Sequence, residues 1–338
     1  MTKTLNNSLQ IWTLAKDLDL NPKEDPIAAI VQYCVQCLRA FLAEFPCKTL
    51  SELLKVAEAK LDTKFIDIHS DEDLHRVRDE FVRKGEEQFK LLEKYLGEQV
   101  YAITFLRLNP KKGDRRYVSV IDCRGEKGWR AYFSRWHELA HLLTLTSQMR
   151  LRFCRSHAES DLKDPEEKLM DVIAGEIGFL PEITKHHIDG SISFAKLDEL
   201  REVLCPEASF QSCLYGFSRI WPEPCCLIET GLGYKKSEEA RLTQNLFDFC
   251  DSPTEKFRVL HVHSNKKARA SAIFVPKYMR VPETSVIYKI FQDGLSDGEA
   301  VEDLCWWESS NGKCLDSRTV FVQARRSGDR VFALITSN

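Results

Sequence analysis

Within Arg135-Trp136-His137-Glu138-Leu139-Ala140-His141-Leu142-Leu143, two histidines stand four residues apart with a glutamate directly after the first. The run is apolar and free of Pro and Gly, so it reads as a buried helix. On a helix, residues four apart share a face, and His137 and His141 can then offer two imidazoles to one metal ion. Zinc suits that pair, because neutral imidazole is among its preferred ligands and its catalytic sites use three protein ligands. Glu138 is placed to take a proton from an attacking water. The alternative is an amphipathic core helix in which the spacing is accidental.

A third ligand separates the two readings. Pro165 to Pro181 predicts a second helix, in which Glu167, Asp171 and Ala174 recur at i, i+4 and i+7 and so form one stripe. The stripe supplies a carboxylate as third ligand, a second acid to orient a histidine, and a small residue for close helix packing. Glu167 alone would be an ordinary acid at a helix start, favoured by the dipole.

The remaining elements must carry these helices. A chain of 338 residues has room for two domains and a sizeable core. Its 43% hydrophobic and 29% charged content is that of a folded protein, and a net charge of −3 argues against wholesale binding to nucleic acid. The twelve cysteines are irregularly spaced in a large chain, which speaks against a disulfide framework. No signal peptide is evident and no apolar run is expected to reach the ~20 residues of a membrane span, so a cytoplasmic protein without a membrane partner is expected.

Helices are expected over 27–45, from about Ser51 (as cap) to Leu61, and as one long solvated helix over 71–96. Cys34 and Cys37 lack the second pair of a zinc ribbon and the strand of a redox motif, so they read as core. Residues 100–108 and 117–123 then read as strands joined by a basic turn. Such a strand beside a metal helix can be a plain hairpin, or an edge along which an extended peptide pairs.

Two blocks resemble the ImmA/IrrE-like zinc metallopeptidases. Phe133-Ser134-Arg135-Trp136-His137-Glu138-Leu139-Ala140-His141, with Arg130 shortly before it, is similar to the family's Phe-[Ser/Thr]-x-x-His-Glu-x-x-His. Glu167-Lys168-Leu169-Met170-Asp171-Val172-Ile173-Ala174, leading to Leu180-Pro181, is similar to its Glu-x-x-Ala-Asn-x-Phe-Ala segment. Met170, Asp171 and Ile173 depart from the family's Ala, Asn and Phe, and one extra residue precedes Pro181. None of these removes a ligand. The resemblance spans roughly Leu50 to Trp221, and Leu197–Gln211 is similar to the family's helix-turn-helix-like segment, although it also reads as an ordinary helical hairpin.

The resemblance implies an α+β fold: a zincin-like metallopeptidase domain with a helical extension over 1–222. A smaller β-rich, GAF- or PAS-like sensor domain is expected over 223–338. Strands are expected at 225–229, 257–263, 271–275, 284–291, 319–325 and 330–335, the last two joined at Ser327-Gly328-Asp329. His261 and His263 share a strand face and can bind a metal or stand unliganded; Lys266-Lys267-Ala268-Arg269 and Arg325-Arg326 can meet phosphates or be plain surface.

The reading is a Zn2+ endopeptidase with His137, His141 and Glu167 as ligands, Glu138 as the catalytic base and Asp171 behind a histidine. The resemblance implies a helix-turn-helix repressor as substrate, cleaved to release stress, mobile-element or phage-defence genes. Single-stranded DNA or a small molecule is the candidate activator. Cys154, in the linker between the ligand helices, is a candidate inhibitory fourth ligand, with His157 a weaker one; a free or buried thiol is the other reading. The competing function is a non-proteolytic sensor or scaffold that binds the repressor, with a structural zinc.

Overall fold

The computed structural model describes residues 8–23, 25–145, 164–243, 253–309 and 312–338. The chain is mixed α and β, with two separate sheets. It divides into two compact units: Met1–His187 with Arg201–Ser212, and Ile188–Leu200 with Cys213–Asn338.

The first unit contains α1 (Leu9–Asp17), α2 (Pro26–Glu44), α3 (Leu50–Lys60), β1 (Thr63–Ile68), α4 (Asp71–Arg83), β2 (Ala102–Leu106), β3 (Tyr117–Asp122), α5 (Ala131–Leu143) and α6 (Pro165–Ile177). Local chemistry sets most helix starts. Asp25 accepts a hydrogen bond from the Ala28 amide and Pro26 occupies the first turn of α2. Thr49 and Glu52 form a capping box on α3, so Thr49 and not Ser51 is the cap. Ser51 Oγ instead reaches the Glu207 carboxylate, 2.6 Å away. Ser70 caps α4, with Asp71, Glu72 and Asp73 at its positive end.

The expected helix over 71–96 is interrupted. Gly85 takes φ +85°, which a helix cannot continue through, and the chain resumes as short helical turns over 87–95. The break lets the buried Glu86 gather Arg107 and the amides of Leu108 and Asn109.

The sheet runs β1-β3-β2, with β1 parallel and β2 antiparallel to β3. Strand alternation splits it into two unlike faces. Ile68, Ile103, Phe105, Val118 and Val120 form a core with Leu74, Val77 and Phe81 of α4 and Phe89 and Leu92 beyond it. The opposite face presents Thr63, Asp67, Thr104 and Ser119, and α5 lies over it, bonding through Arg135 to Asp67 and through Glu138 to Thr104.

Pro26–Glu44 is long and apolar enough, by length and composition alone, to cross a membrane, contrary to the expectation that no run would be. In this fold Ile27, Ile30, Cys34 and Leu38 are buried and the helix packs on α6, while Arg39 pairs with Glu182 and Glu44 with Lys60. It is a core helix of the first unit. Cys37 is half-buried, and the described cysteines are unbridged.

Two further helices follow, α7 (Phe194–Leu204) and α8 (Phe210–Ile220), over the stretch read as helix, turn and helix. The second unit is built on a five-stranded antiparallel sheet: β4 (Cys225–Gly233), β5 (Lys256–Ser264), β6 (Asp297–Asp303), β7 (Thr319–Ser327) and β8 (Arg330–Ser337). Their order is β5-β4-β8-β7-β6. Ser327-Gly328-Asp329 makes the turn between β7 and β8, with Gly328 at φ +61°. Residues 284–291 are not a strand: Ser285 caps a helix, Val286–Asp293, which Gly294 ends in the left-handed region. Its apolar residues fit both periods, and Ile287 and Ile290 at helical spacing are the buried ones. Residues 271–275 are a turn and extended chain rather than a strand, with Ile273 and Val275 packed into the core.

Candidate metal centre

Helix α5 is buried almost all round, from Ala131 and Tyr132 through Trp136 and Leu139 to Leu143. A helix held on every side fixes its side chains better than a loop can. His137, half-buried, and His141, buried one turn on, share a face and meet Glu167 from α6. Gly178, which caps α6, lets Trp136 of α5 come close: a Cβ there would stand 3.0 Å from Trp136 Cδ1 and 2.8 Å from the Ala174 carbonyl oxygen of its own helix. Tyr132 adds a hydrogen bond to the Gly178 carbonyl at 2.6 Å.

The three donors converge. His137 Nε2 lies 3.1 Å from Glu167 Oε2 and 3.2 Å from His141 Nε2, and Glu167 Oε1 is 3.5 Å from His141 Nε2. One ligand atom from each residue falls within 4.8 Å of the others, so the group could hold a metal ion. Asp171 Oδ1 stands 3.0 Å from His137 Nδ1. Nδ1–H therefore donates to Asp171, and the Nε2 edge faces the cluster.

The electrostatics describe a cradle for positive charge. Burial works against charging His137, but hydrogen bonds to Asp171 and Glu167 outweigh it and raise its pKa to about 10. Burial likewise works against ionising Glu167, yet the two histidines hold its carboxyl well below the usual range. Two imidazole nitrogens 3.2 Å apart present facing lone pairs unless a proton or a cation lies between them. The His2Glu donor set is one that zinc takes.

Glu138, the next residue round α5 from His137, is buried, and its Oε2 accepts a hydrogen bond from Thr104 Oγ1 at 2.5 Å. Thr104 Oγ1 lies 2.6 Å from Ser119 Oγ, and Ser119 Oγ 3.1 Å from Thr63 Oγ1. Register explains the row: Thr104 is directly opposite Ser119 across β2 and β3. An ionised carboxylate can only accept, so Thr104 donates to it, Ser119 to Thr104 and Thr63 to Ser119. Thr104 sits on β2, at one edge of the sheet.

The structure thus brings His137, His141, Glu167 and Asp171 together, with Glu138 adjacent. Cys154 and His157 lie outside the described residues. His261 and His263 face Glu229 and Leu227 across β4, and neither belongs to a metal-holding group among the described residues. Arg325 pairs with Asp198 at 2.6 Å. The hydroxyl row was not foreseen from sequence. Its one local sign is a threonine in the apolar alternation of β2, which acquires meaning only through pairing.

No family model matches the chain, and a search of curated proteins finds no relative. A Mycobacterium tuberculosis transcriptional regulator of known structure is similar over 97% of this chain and 81% of its own, at 10% identity and a TM-score of 0.42.

Proposed function

We propose that the protein is a zinc-dependent endopeptidase with a zincin-like first unit. The observation that carries the reading is the convergence of His137 Nε2, His141 Nε2 and Glu167 beside a glutamate anchored to an edge strand. His137, His141 and Glu167 hold the ion, and Asp171 fixes the tautomer of His137. When bound, zinc supplies a Lewis acid for a peptide carbonyl and lowers the pKa of water. Glu138 accepts the proton of the attacking water and returns it to the leaving amine. Thr104 holds one oxygen of Glu138, leaving the other for that transfer. β2 is an edge strand, alongside which an extended peptide pairs in this reading.

The substrate class follows from the resemblance to ImmA/IrrE-like peptidases: a helix-turn-helix repressor, cut to release stress, mobile-element or phage-defence genes. The antiparallel second unit then serves as a GAF- or PAS-like sensor of single-stranded DNA or a small molecule. Zinc-loaded wild type and Glu138→Gln are compared on the repressor encoded beside the gene, with and without single-stranded DNA. Cleavage by wild type alone, with zinc retained in Glu138→Gln, is the expected result. Zinc content unchanged in His137→Ala with His141→Ala would overturn the site, and equal cleavage by Glu138→Gln would overturn the chemistry.

A further inference from the structure

A second group of mixed donors lies where β1 and β3 end. β1 and β3 run parallel in the register Asp67↔Ile121 and Ile68↔Asp122, so His69 and Cys123 are the next pair beyond the strand ends. The Cys123 amide continues the ladder, donating to the Ile68 carbonyl at 2.8 Å. Alternation puts Asp67 and His69 on one face, and parallel pairing puts Cys123 there too. A carboxylate oxygen, an imidazole nitrogen and Cys123 Sγ all fall within 4.8 Å of one another.

Asp67 carries a second sign. Its Oδ2 accepts from Arg135 Nη2 at 2.7 Å, whereas its Oδ1 is buried and accepts no hydrogen bond. A buried carboxylate oxygen without a donor is costly, and an ion is one of the few things that relieve it. Arg135 then stands behind a ligating carboxylate, the place where metal sites keep such a partner.

We propose that Asp67, His69 and Cys123 form a second divalent-metal site, for zinc or an ion of similar softness. One thiolate, one imidazole and one carboxylate favour zinc or cobalt over magnesium or calcium, which take all-oxygen shells. Exposed His69 gives the ion a path from solvent. Cys123 loses its proton to solvent as the metal–sulfur bond forms, with no change of oxidation state. Arg135 lies two residues before His137 on α5, so a filled site is joined to the first centre's helix by one ion pair.

Cobalt(II) is the probe, added to the full-length, metal-stripped protein. Thiolate binding gives a sulfur-to-cobalt charge-transfer band in the near ultraviolet, which His137, His141 and Glu167 alone cannot produce. The band is expected in wild type, in His137→Ala with His141→Ala, and in Cys154→Ser. It is expected to vanish in Cys123→Ser, with one metal equivalent fewer, and to weaken at limiting cobalt in His69→Ala, an exposed position that leaves the core intact. No band in wild type, or a band that survives Cys123→Ser, overturns the proposal. A band lost only in Cys154→Ser assigns the thiolate to the first centre and overturns it as well. Failure of the first centre would appear separately, as no metal lost from His137→Ala with His141→Ala.

Discussion

Replacing Asp171 by alanine tests the first centre without touching a ligand. The Asp171 carboxylate, 3.0 Å from His137 Nδ1, is the one partner that fixes the Nδ1–H tautomer. Removing such a partner typically costs 10- to 100-fold in metal affinity, or about 1.4–2.7 kcal/mol. Two features place this case at the lower end. The Asp171 side chain is 36% exposed, so water screens part of its effect. It also favours a proton on His137, which competes with the cation at neutral pH. About tenfold weaker binding is therefore expected for Asp171→Ala in a zinc titration against a competing chelator at pH 7.5. Asp171→Asn keeps an acceptor for Nδ1–H and should recover most of the loss. Metal-free unfolding midpoints show whether either change acts through the fold. Equal zinc affinity in all three proteins refutes the reasoning, as does a loss in Asp171→Ala that an exposed control such as Glu72→Ala reproduces.

Thr104→Val keeps the β-branched shape but removes the donor to Glu138 and the acceptor for Ser119, both buried; about 2–3 kcal/mol of stability should go, read by urea unfolding, with zinc content unchanged. An unaltered midpoint sinks that account. Gly178→Ala presses a methyl on Trp136 of α5 and on the Ala174 carbonyl of its own helix, for a loss of about 1–3 kcal/mol and weaker zinc binding; normal stability in that variant means the contact is slack. Burial, with the charges of Arg219 and Arg269, depresses the His263 pKa to about 4. The unfolded imidazole takes its proton near pH 6.5 and the folded one only near 4, so stability holds above pH 6.5 and declines as pH falls to 4, by roughly 2 kcal/mol after screening. His263→Gln should flatten that decline between pH 7 and 4.5, and equal declines would count against it.

The two ligand helices were readable because their signals are local and periodic: buried apolar spacing in α5, Pro165 at the start of α6, and an acid stripe in register. Strand β1 was missed, since Thr-Lys-Phe-Ile-Asp-Ile is short and puts hydroxyl and carboxylate side chains on the face turned to α5. Its strand character comes from pairing with β3, which no local window contains. Residues 284–291 read as a strand because a short apolar run fits both periods; Ser285 and Gly294 are the cap signals that decide for a helix. β6, Asp297–Asp303, is an acidic strand whose alternation is too polar to register as one. The partners of Glu138 are long-range, and Asp67, His69 and Cys123 meet only through the pairing of β1 with β3, so neither could be read from a local window.

The spacing of the first centre has a mechanical meaning as well as a chemical one. His137 and Glu167 stand 30 positions apart along the chain, on separate helices. An ion shared between them is a cross-link, and while it persists in the unfolded chain it closes a loop of that length. By the relation used for disulfides, such closure removes unfolded-state entropy worth ~3.6 kcal/mol at 25 °C. With the proposed ion bound, chelation removes that cross-link as well, and a protease is expected to cut α5 and α6 sooner in the metal-free chain.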